Sequence, residues 1–108
     1  MAQYLLIESR DPLSDADAAR FQELAARLAR AGNEVTFFLV QNGVFPARRG
    51  ARREQLARLA GHGIQVLADD FSLRERGIAE DRLAPGVEAA PLSVVIDLME
   101  SGSRALWH

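Results

Sequence analysis

The chain has 108 residues, of which 48% are hydrophobic and 26% charged, as is typical of one folded domain and not of a disordered tail. Thirteen basic residues oppose fifteen acidic ones, and the formal net charge of −2 excludes the one-signed field that favours nucleic-acid or membrane-surface binding. Every basic residue is arginine, and cysteine and lysine are absent, which excludes a thiolate that carries a persulfide, a disulfide and a Schiff-base amine.

The predicted elements alternate between strand and helix. A short apolar run at 4–7 predicts a first strand. Apolar residues then recur at three- and four-residue steps, which predicts a helix with Ser14 as its N-cap and Gly32 as its end. The β-branched and aromatic run at 35–40 predicts a central strand covered on both faces, and the turn formers at 41–46 predict a loop.

The alternation continues with shorter elements. The periodicity predicts a helix at 51–60, with Leu56 and Leu59 facing the core. A strand is predicted at 64–68, followed by a short helix at 73–76.

The last part of the chain completes the pattern. A very short strand is predicted near Val87, a helix opens at Pro91 and ends at Gly102, and a final strand is predicted at 104–107. One apolar stripe of this last helix is expected to face the core, formed by Leu92, Val95, Ile96 and Met99.

This order of elements predicts the fold class. Strands joined by helical segments are parallel, because a parallel pair needs a long crossover. We therefore expect a single α/β domain over 1–108, a three-layer α/β/α sandwich with a mostly parallel sheet of four to five strands. Ligands of such sheets bind beyond the carboxyl ends of the strands, which selects the loops at 8–11, 41–49 and 69–71. The candidate ligand-binding residues there are Ser9, Arg10, Gln41, Asn42, Asp69, Asp70 and Phe71.

The adjacent carboxylates of Asp69 and Asp70 allow two interpretations. They could act as acid and base in a small enzyme, which stays an alternative. Adjacent residues that leave a strand usually point apart, however, and an acid before a helix more often caps it. The first strand lacks the glycine-rich turn of a dinucleotide fold, and without lysine the phosphoacceptor chemistry of receiver domains is disfavoured. We therefore assign no catalytic residue.

A group of arginines precedes the second predicted helix. Arg48, Arg49, Arg52 and Arg53 place four positive charges in six residues, near the free N–H groups of a helix start. Arg48 and Arg49 are therefore candidates to attract a small anionic ligand, which Arg10 would bind directly. The alternative is a solvated helix face.

The sequence offers little for metals or membranes. With only His62 and His108, a conventional zinc site would need carboxylates to complete it, so we expect no metal and no other cofactor. The N-terminal residues do not form a signal peptide, and no stretch approaches the ~20 apolar residues of a membrane span. We therefore expect a cytoplasmic protein.

Several short motifs occur in an order that resembles a known family. They are Ala18 through Gly32-Asn33-Glu34-Val35, Phe37-Phe38 with Asn42-Gly43-Val44, Arg74-Glu75-Arg76-Gly77-Ile78, and Arg104-Ala105-Leu106-Trp107 after the last helix. Together they are similar to the DsrE-like (DsrE/DsrF, TusD-related) sulfur-relay proteins. The resemblance implies a small α/β/α domain that assembles as trimers or hexamers.

The same resemblance marks one departure. Active members of that family carry sulfur as a persulfide on a cysteine after the third strand, and the corresponding position here is Asp69. A carboxylate cannot hold a sulfane sulfur. The resemblance therefore implies the fold but not sulfur transfer.

These observations lead to a binding hypothesis. We expect a DsrE-like protein without the sulfur-carrying cysteine that acts as a non-covalent ligand-binding or accessory subunit, with sulfur metabolism as a possible context. A structural subunit of a hetero-oligomeric sulfur relay, built with DsrE-like relatives, is the other alternative. Self-association as a trimer or hexamer is expected from the resemblance and from apolar residues in loops and at the last strand, namely Val44, Phe45 and Trp107.

Overall fold

Five parallel strands form the centre of the protein in a computed structural model, which describes residues 1–50 and 54–108. They are β1 (Gln3–Glu8), β2 (Glu34–Leu39), β3 (Gln65–Asp69), β4 (Val87–Ala90) and β5 (Arg104–Trp107). The strand order is β4-β3-β2-β1-β5, and every neighbouring pair is parallel. The prediction of a mostly parallel sheet of four to five strands is confirmed.

The helices lie on both faces of the sheet, as a three-layer sandwich requires. They are α1 (Asp17–Arg30), α2 (Glu54–Gly61), α3 (Asp70–Glu75) and α4 (Ser93–Glu100). Apolar side chains of α1 and α2 pack in one core cluster on the first face of the sheet. Side chains of α4 pack against a second, smaller cluster on the opposite face. The predicted α/β/α architecture is therefore confirmed.

The larger cluster accounts for most of the buried apolar surface. It joins inward residues of the central strands, such as Phe37 and Val66, to helix residues such as Ala25, Leu56 and Leu59. The predicted inward positions Leu56 and Leu59 are 0% and 4% exposed, so the periodicity of α2 gave the correct face.

The predicted inward stripe of α4 is correct at Val95 and wrong at its other three positions. Val94, Val95 and Leu98 face the sheet instead. The predicted positions other than Val95 are more than half exposed, namely Leu92, Ile96 and Met99. The helix is apolar on most of its surface, so its periodicity could not identify the face that meets the sheet.

Two further predictions need correction. The helix predicted to start at Ser14 begins at Asp17, because Ser14 bonds its hydroxyl to the Asp11 carbonyl while Asp15 Oδ1 accepts the Asp17 N–H at 2.9 Å. The segment predicted as a loop forms a 3-10 helix, Gln41–Ala47.

Smaller shifts affect other elements. The helix α3 starts three residues earlier than predicted, since Asp69 caps it. Residues 51–53 of the predicted second helix, with Arg52 and Arg53, lie outside the described residues. Val44, predicted to be an exposed loop residue, is fully buried.

A close backbone contact holds the segment after β2 against the end of β1. The N–H of Val40 donates to the carbonyl of Glu8 at 2.9 Å, and Gly43 follows within the same turn. A Cβ atom on Gly43 would overlap that Glu8 carbonyl oxygen. Only glycine therefore allows the two loops to approach this closely.

We predict that Gly43→Ala destabilises the protein by about 1–3 kcal/mol, because the Glu8 backbone must move to admit the methyl group. Gly61→Ala is the matched control, since a Cβ atom on Gly61 meets nothing within 4 Å. That variant should stay within about 1 kcal/mol of the wild type. Urea unfolding of the three proteins measures both effects, and equal stability of Gly43→Ala and wild type would contradict the contact.

Candidate functional site

The buried carboxylate of Asp69 lies where β3 ends. It is 5% exposed, and its Oδ2 atom accepts hydrogen bonds from the Ser72 N–H at 3.0 Å and from the Ser72 hydroxyl at 2.7 Å. These bonds make Asp69 the N-cap of α3, as the capping interpretation predicted. Its other oxygen, Oδ1, is buried without a hydrogen-bond partner among the described residues.

The end of β2 is tied to this cap through the same serine. The Gln41 N–H donates to the Ser72 hydroxyl oxygen at 2.8 Å. Gln41 has a φ of +52°, which residues other than glycine rarely adopt. The backbone at the exit of β2 is thus held in a strained conformation that points its N–H at the β3 cap.

An open depression of about 370 Å³ lies beside this network. Three of the predicted ligand-binding residues line it together, namely Gln41, Asp69 and Phe71. Leu92 and Trp107, which the sequence analysis did not select, also line it. They follow β4 and end β5, so extending the carboxyl-end rule to all five strands would have found them.

The other predicted residues take different positions. Asn42 accepts a bond from Arg76 Nε at 3.1 Å, and Ser9 Oγ lies 3.4 Å from Trp107 Nε1, so both contact residues that line the depression. Asp70 pairs instead with Arg74 at 4.0 Å.

The predicted anion-attracting arginines do not line this depression. Arg48 and Arg49 line a separate, open one of about 570 Å³ together with Arg82 and Asp81. The Arg48 side chain donates to the Phe45 carbonyl at 3.0 Å and lies over the Phe45 ring. Arg10 forms an ion pair with Asp15 at 2.8 Å. Of the three arginines predicted to meet an anion, Arg48 and Arg49 thus lie together, whereas Arg10 pairs with Asp15.

A second polar centre, which the sequence analysis missed, lies at the ends of β1 and β5. Glu8 is 1% exposed, and His108 Nδ1 lies 2.9 Å from its Oε2 and 3.1 Å from its Oε1. The Arg10 N–H donates to Oε2 at 3.1 Å. The sequence signals this centre only through Glu8, a charged residue that directly continues an apolar strand.

Burial and charge shift two pKa values in this centre. Burial raises the pKa of the Glu8 carboxyl above its ordinary value, and the bonds from Arg10 and His108 offset this only partly. The Arg10 guanidinium bonded to Asp15 lowers the pKa of that carboxyl. Glu8 and Asp15, close together, are thus shifted in opposite directions.

The chain is thus a small α/β sandwich protein with a parallel sheet and a depression at the carboxyl ends of its strands. The model of the DsrE/DsrF-like family matches residues 3–107, and the chain belongs to this family. The family resemblance seen in the sequence is confirmed. No curated protein sequence matches the chain significantly.

Solved structures agree with the fold. The ychN protein from E. coli superposes with a TM-score of 0.90 at 20% identity, over all of both chains. Protein of unknown function MTH1491 from Methanobacterium thermoautotrophicum gives 0.86 at 17% identity, again over all of both chains. Conserved protein BT1422 from Bacteroides thetaiotaomicron gives 0.76 at 14% identity, over 98% of this chain and 95% of that one.

The helices carry no membrane-spanning signal. Within the described ranges, none combines the length and apolar composition that crossing a bilayer requires.

We predict that Glu8 makes stability depend on pH. Because its pKa is raised in the folded protein above the ordinary 4.5, the folded state binds more protons than the unfolded state between these two values. The free energy of unfolding of the wild type, relative to Glu8→Gln, should therefore fall as pH rises through that window. Urea unfolding of both proteins from pH 4 to 8 measures the difference, and a difference that rises with pH would contradict the assignment.

Proposed function

We propose that this member of the DsrE/DsrF-like family is a non-covalent ligand-binding subunit, and that its ligand occupies the depression beside Asp69. The chain has no thiol, so it carries no persulfide of its own. What remains at the family's sulfur-carrying position is a buried carboxylate next to an open, partly aromatic surface.

The unpartnered Oδ1 atom of Asp69 carries the proposal. Leaving a buried acceptor without a donor costs about 1–3 kcal/mol, more for a charged group, and native proteins seldom retain such an atom without a reason. Asp69 lines the depression, and we infer that a ligand bound there, with a small shift of the side chain, supplies the donor that Oδ1 lacks.

The side chains around the depression favour a ligand that combines an amine with an apolar group. The charged residues that line it are Asp69, Glu75 and Arg76. The Arg76 guanidinium is already bonded to Asn42 at 3.1 Å and to the Ser72 carbonyl at 3.3 Å. The two carboxylates outnumber the one guanidinium, and the exposed rings of Phe71 and Trp107 offer faces for an apolar or cationic group.

The acid–base alternative has less support. Asp69 Oδ2 is occupied by the cap of α3, and Asp70 pairs with Arg74. The two carboxylates thus serve separate contacts and do not act as a pair on one reacting group.

We predict that phenethylamine raises the melting temperature of the wild type and that 3-phenylpropionate, which is similar in size but anionic, does not. Asp69→Asn should weaken amine binding by about 1.5–3 kcal/mol, roughly tenfold to a hundredfold, because a charge-assisted bond is lost while asparagine still caps α3. Thermal shift followed by calorimetry measures both.

Asp70→Asn is the matched control. It removes the charge of the neighbouring residue, which does not line the depression. It should bind the amine like the wild type. Stabilisation by 3-phenylpropionate or thiosulfate alone would overturn the proposal and would favour the predicted anionic ligand at the arginines.

We propose further that the protein is a homo-oligomer, and that the outer surface of α4 is its interface. Leu92, Ile96 and Met99 are 56%, 58% and 53% exposed, and Trp107, which lines one depression with Leu92, is 68% exposed. Contiguous exposed apolar surface of this kind marks an interaction site. The family resemblance suggests a trimer or hexamer, while a hetero-oligomer with DsrE-like relatives would use the same surface.

We predict a mass in solution of three or six times the 11.9 kDa chain, measured by light scattering over a range of concentrations. Ile96→Glu should reduce that mass, because a buried unpaired charge in the interface is strongly unfavourable. Leu13→Glu, at a residue 67% exposed in the loop before α1, should not. A mass of one chain at every concentration would exclude self-association.

A further inference from the structure

A second group of side chains at the carboxyl edge has the composition of a metal site. One ring nitrogen of His108 and one carboxylate oxygen from each of Asp15 and Asp17 all lie within 4.8 Å of one another. The histidine follows β5, and the two aspartates lie just before and at the start of α1. The hydrogen bond from the Asp17 N–H to Asp15 Oδ1 holds the Asp15 carboxylate against the backbone at the start of α1.

The buried carboxylate of Glu8 orients the imidazole. His108 Nδ1 lies 2.9 Å and 3.1 Å from the two Glu8 oxygens, and a carboxylate at that distance selects the tautomer with the proton on Nδ1. Nε2 then carries the lone pair that a metal needs. A carboxylate bonded to the far nitrogen of a ligand histidine is the usual outer shell of protein metal sites.

We propose that Asp15, Asp17 and His108 bind a divalent transition metal, with Zn²⁺ as the best match, and that Glu8 is the outer-shell partner of His108. One imidazole with two carboxylates suits Zn²⁺, whereas Mg²⁺ and Ca²⁺ prefer oxygen ligands alone. Carboxylates from α1 and its preceding loop thus supply the ligands that a site with one histidine needs. Three protein ligands leave a fourth position open to water or to an anionic group.

Two arginines pair with the carboxylates of this cluster. Arg10 Nη1 lies 2.8 Å from Asp15 Oδ2, and Arg20 Nη1 lies 3.1 Å from Asp17 Oδ1. Their side chains are 61% and 87% exposed, so both can turn into solvent without disturbing the core. Arg10 and the metal therefore compete for Asp15.

This competition predicts that loss of a charged residue strengthens metal binding. Removing Arg10 abolishes an ion pair, yet it should tighten metal binding, because the site loses a positive charge that opposes the ion. A cluster with a purely structural role would show no gain in metal affinity in Arg10→Ala.

The test is calorimetric titration of the untagged full chain with ZnCl₂. We expect one Zn²⁺ per chain, tighter binding in Arg10→Ala, and binding weakened by at least about tenfold in Asp17→Asn and His108→Gln, which each lose a ligand. Glu8→Gln should weaken binding by about 10–100-fold, as other outer-shell changes do. His62→Gln, which changes the other histidine, and Asp11→Asn are matched controls that should bind like the wild type.

A spectroscopic measurement identifies the ligand directly. On addition of Zn²⁺, the ¹⁵N resonance of His108 Nε2 should shift while the resonances of His62 stay unchanged. The absence of Zn²⁺ binding in both wild type and Arg10→Ala would overturn the proposal. So would loss of binding in His62→Gln with binding kept in His108→Gln. If Glu8→Gln does not fold, the comparison of Arg10→Ala with His108→Gln decides the question alone.

Discussion

A parallel sheet has to be covered on both faces, and this chain covers one face much more fully than the other. Most of the structure follows from that difference. On one face, α1 and α2 form a continuous core with the central strands. On the other face, the eight-residue α4 covers the sheet with Val94, Val95 and Leu98. Apolar surface remains exposed on the outside of α4 and at Trp107. The uneven coverage thus places the exposed apolar surface next to the depression at Asp69.

The strands concentrate polar groups at their carboxyl ends, and two of these groups are buried carboxylates with different partners. The Oδ2 atom of Asp69 is satisfied locally, since the N–H and the hydroxyl that donate to it both belong to Ser72, three residues along the chain. Glu8 depends on His108, which is 100 residues away in the sequence. A local cap of this kind costs little to organise, whereas the Glu8 pair exists only when the whole sheet is formed.

The same contrast between local and distant contacts explains what could be predicted from the sequence. The order of elements, the burial of Leu56 and the capping role of Asp69 depend on neighbours within a few residues, and local patterns predict them. The orientation of α4 depends on the sheet beneath it, because several of its sides are apolar. The partner of Arg10 is only five residues away, but the path of the loop before α1 decides which residue it is. The contact of the His108 imidazole with Glu8 depends on the position of β5.

The pairing of β1 with β5 places Leu6 beside Leu106, so neighbouring strands come from opposite ends of the described chain. During synthesis, β1 is made before the other four strands, and β5, which covers its outer edge, is made after them. Until residues 104–108 emerge, β1 is an edge strand with open backbone groups, and Glu8 has no imidazole beside it. The sheet is therefore completed by a contact of high sequence separation, and such contacts form slowly.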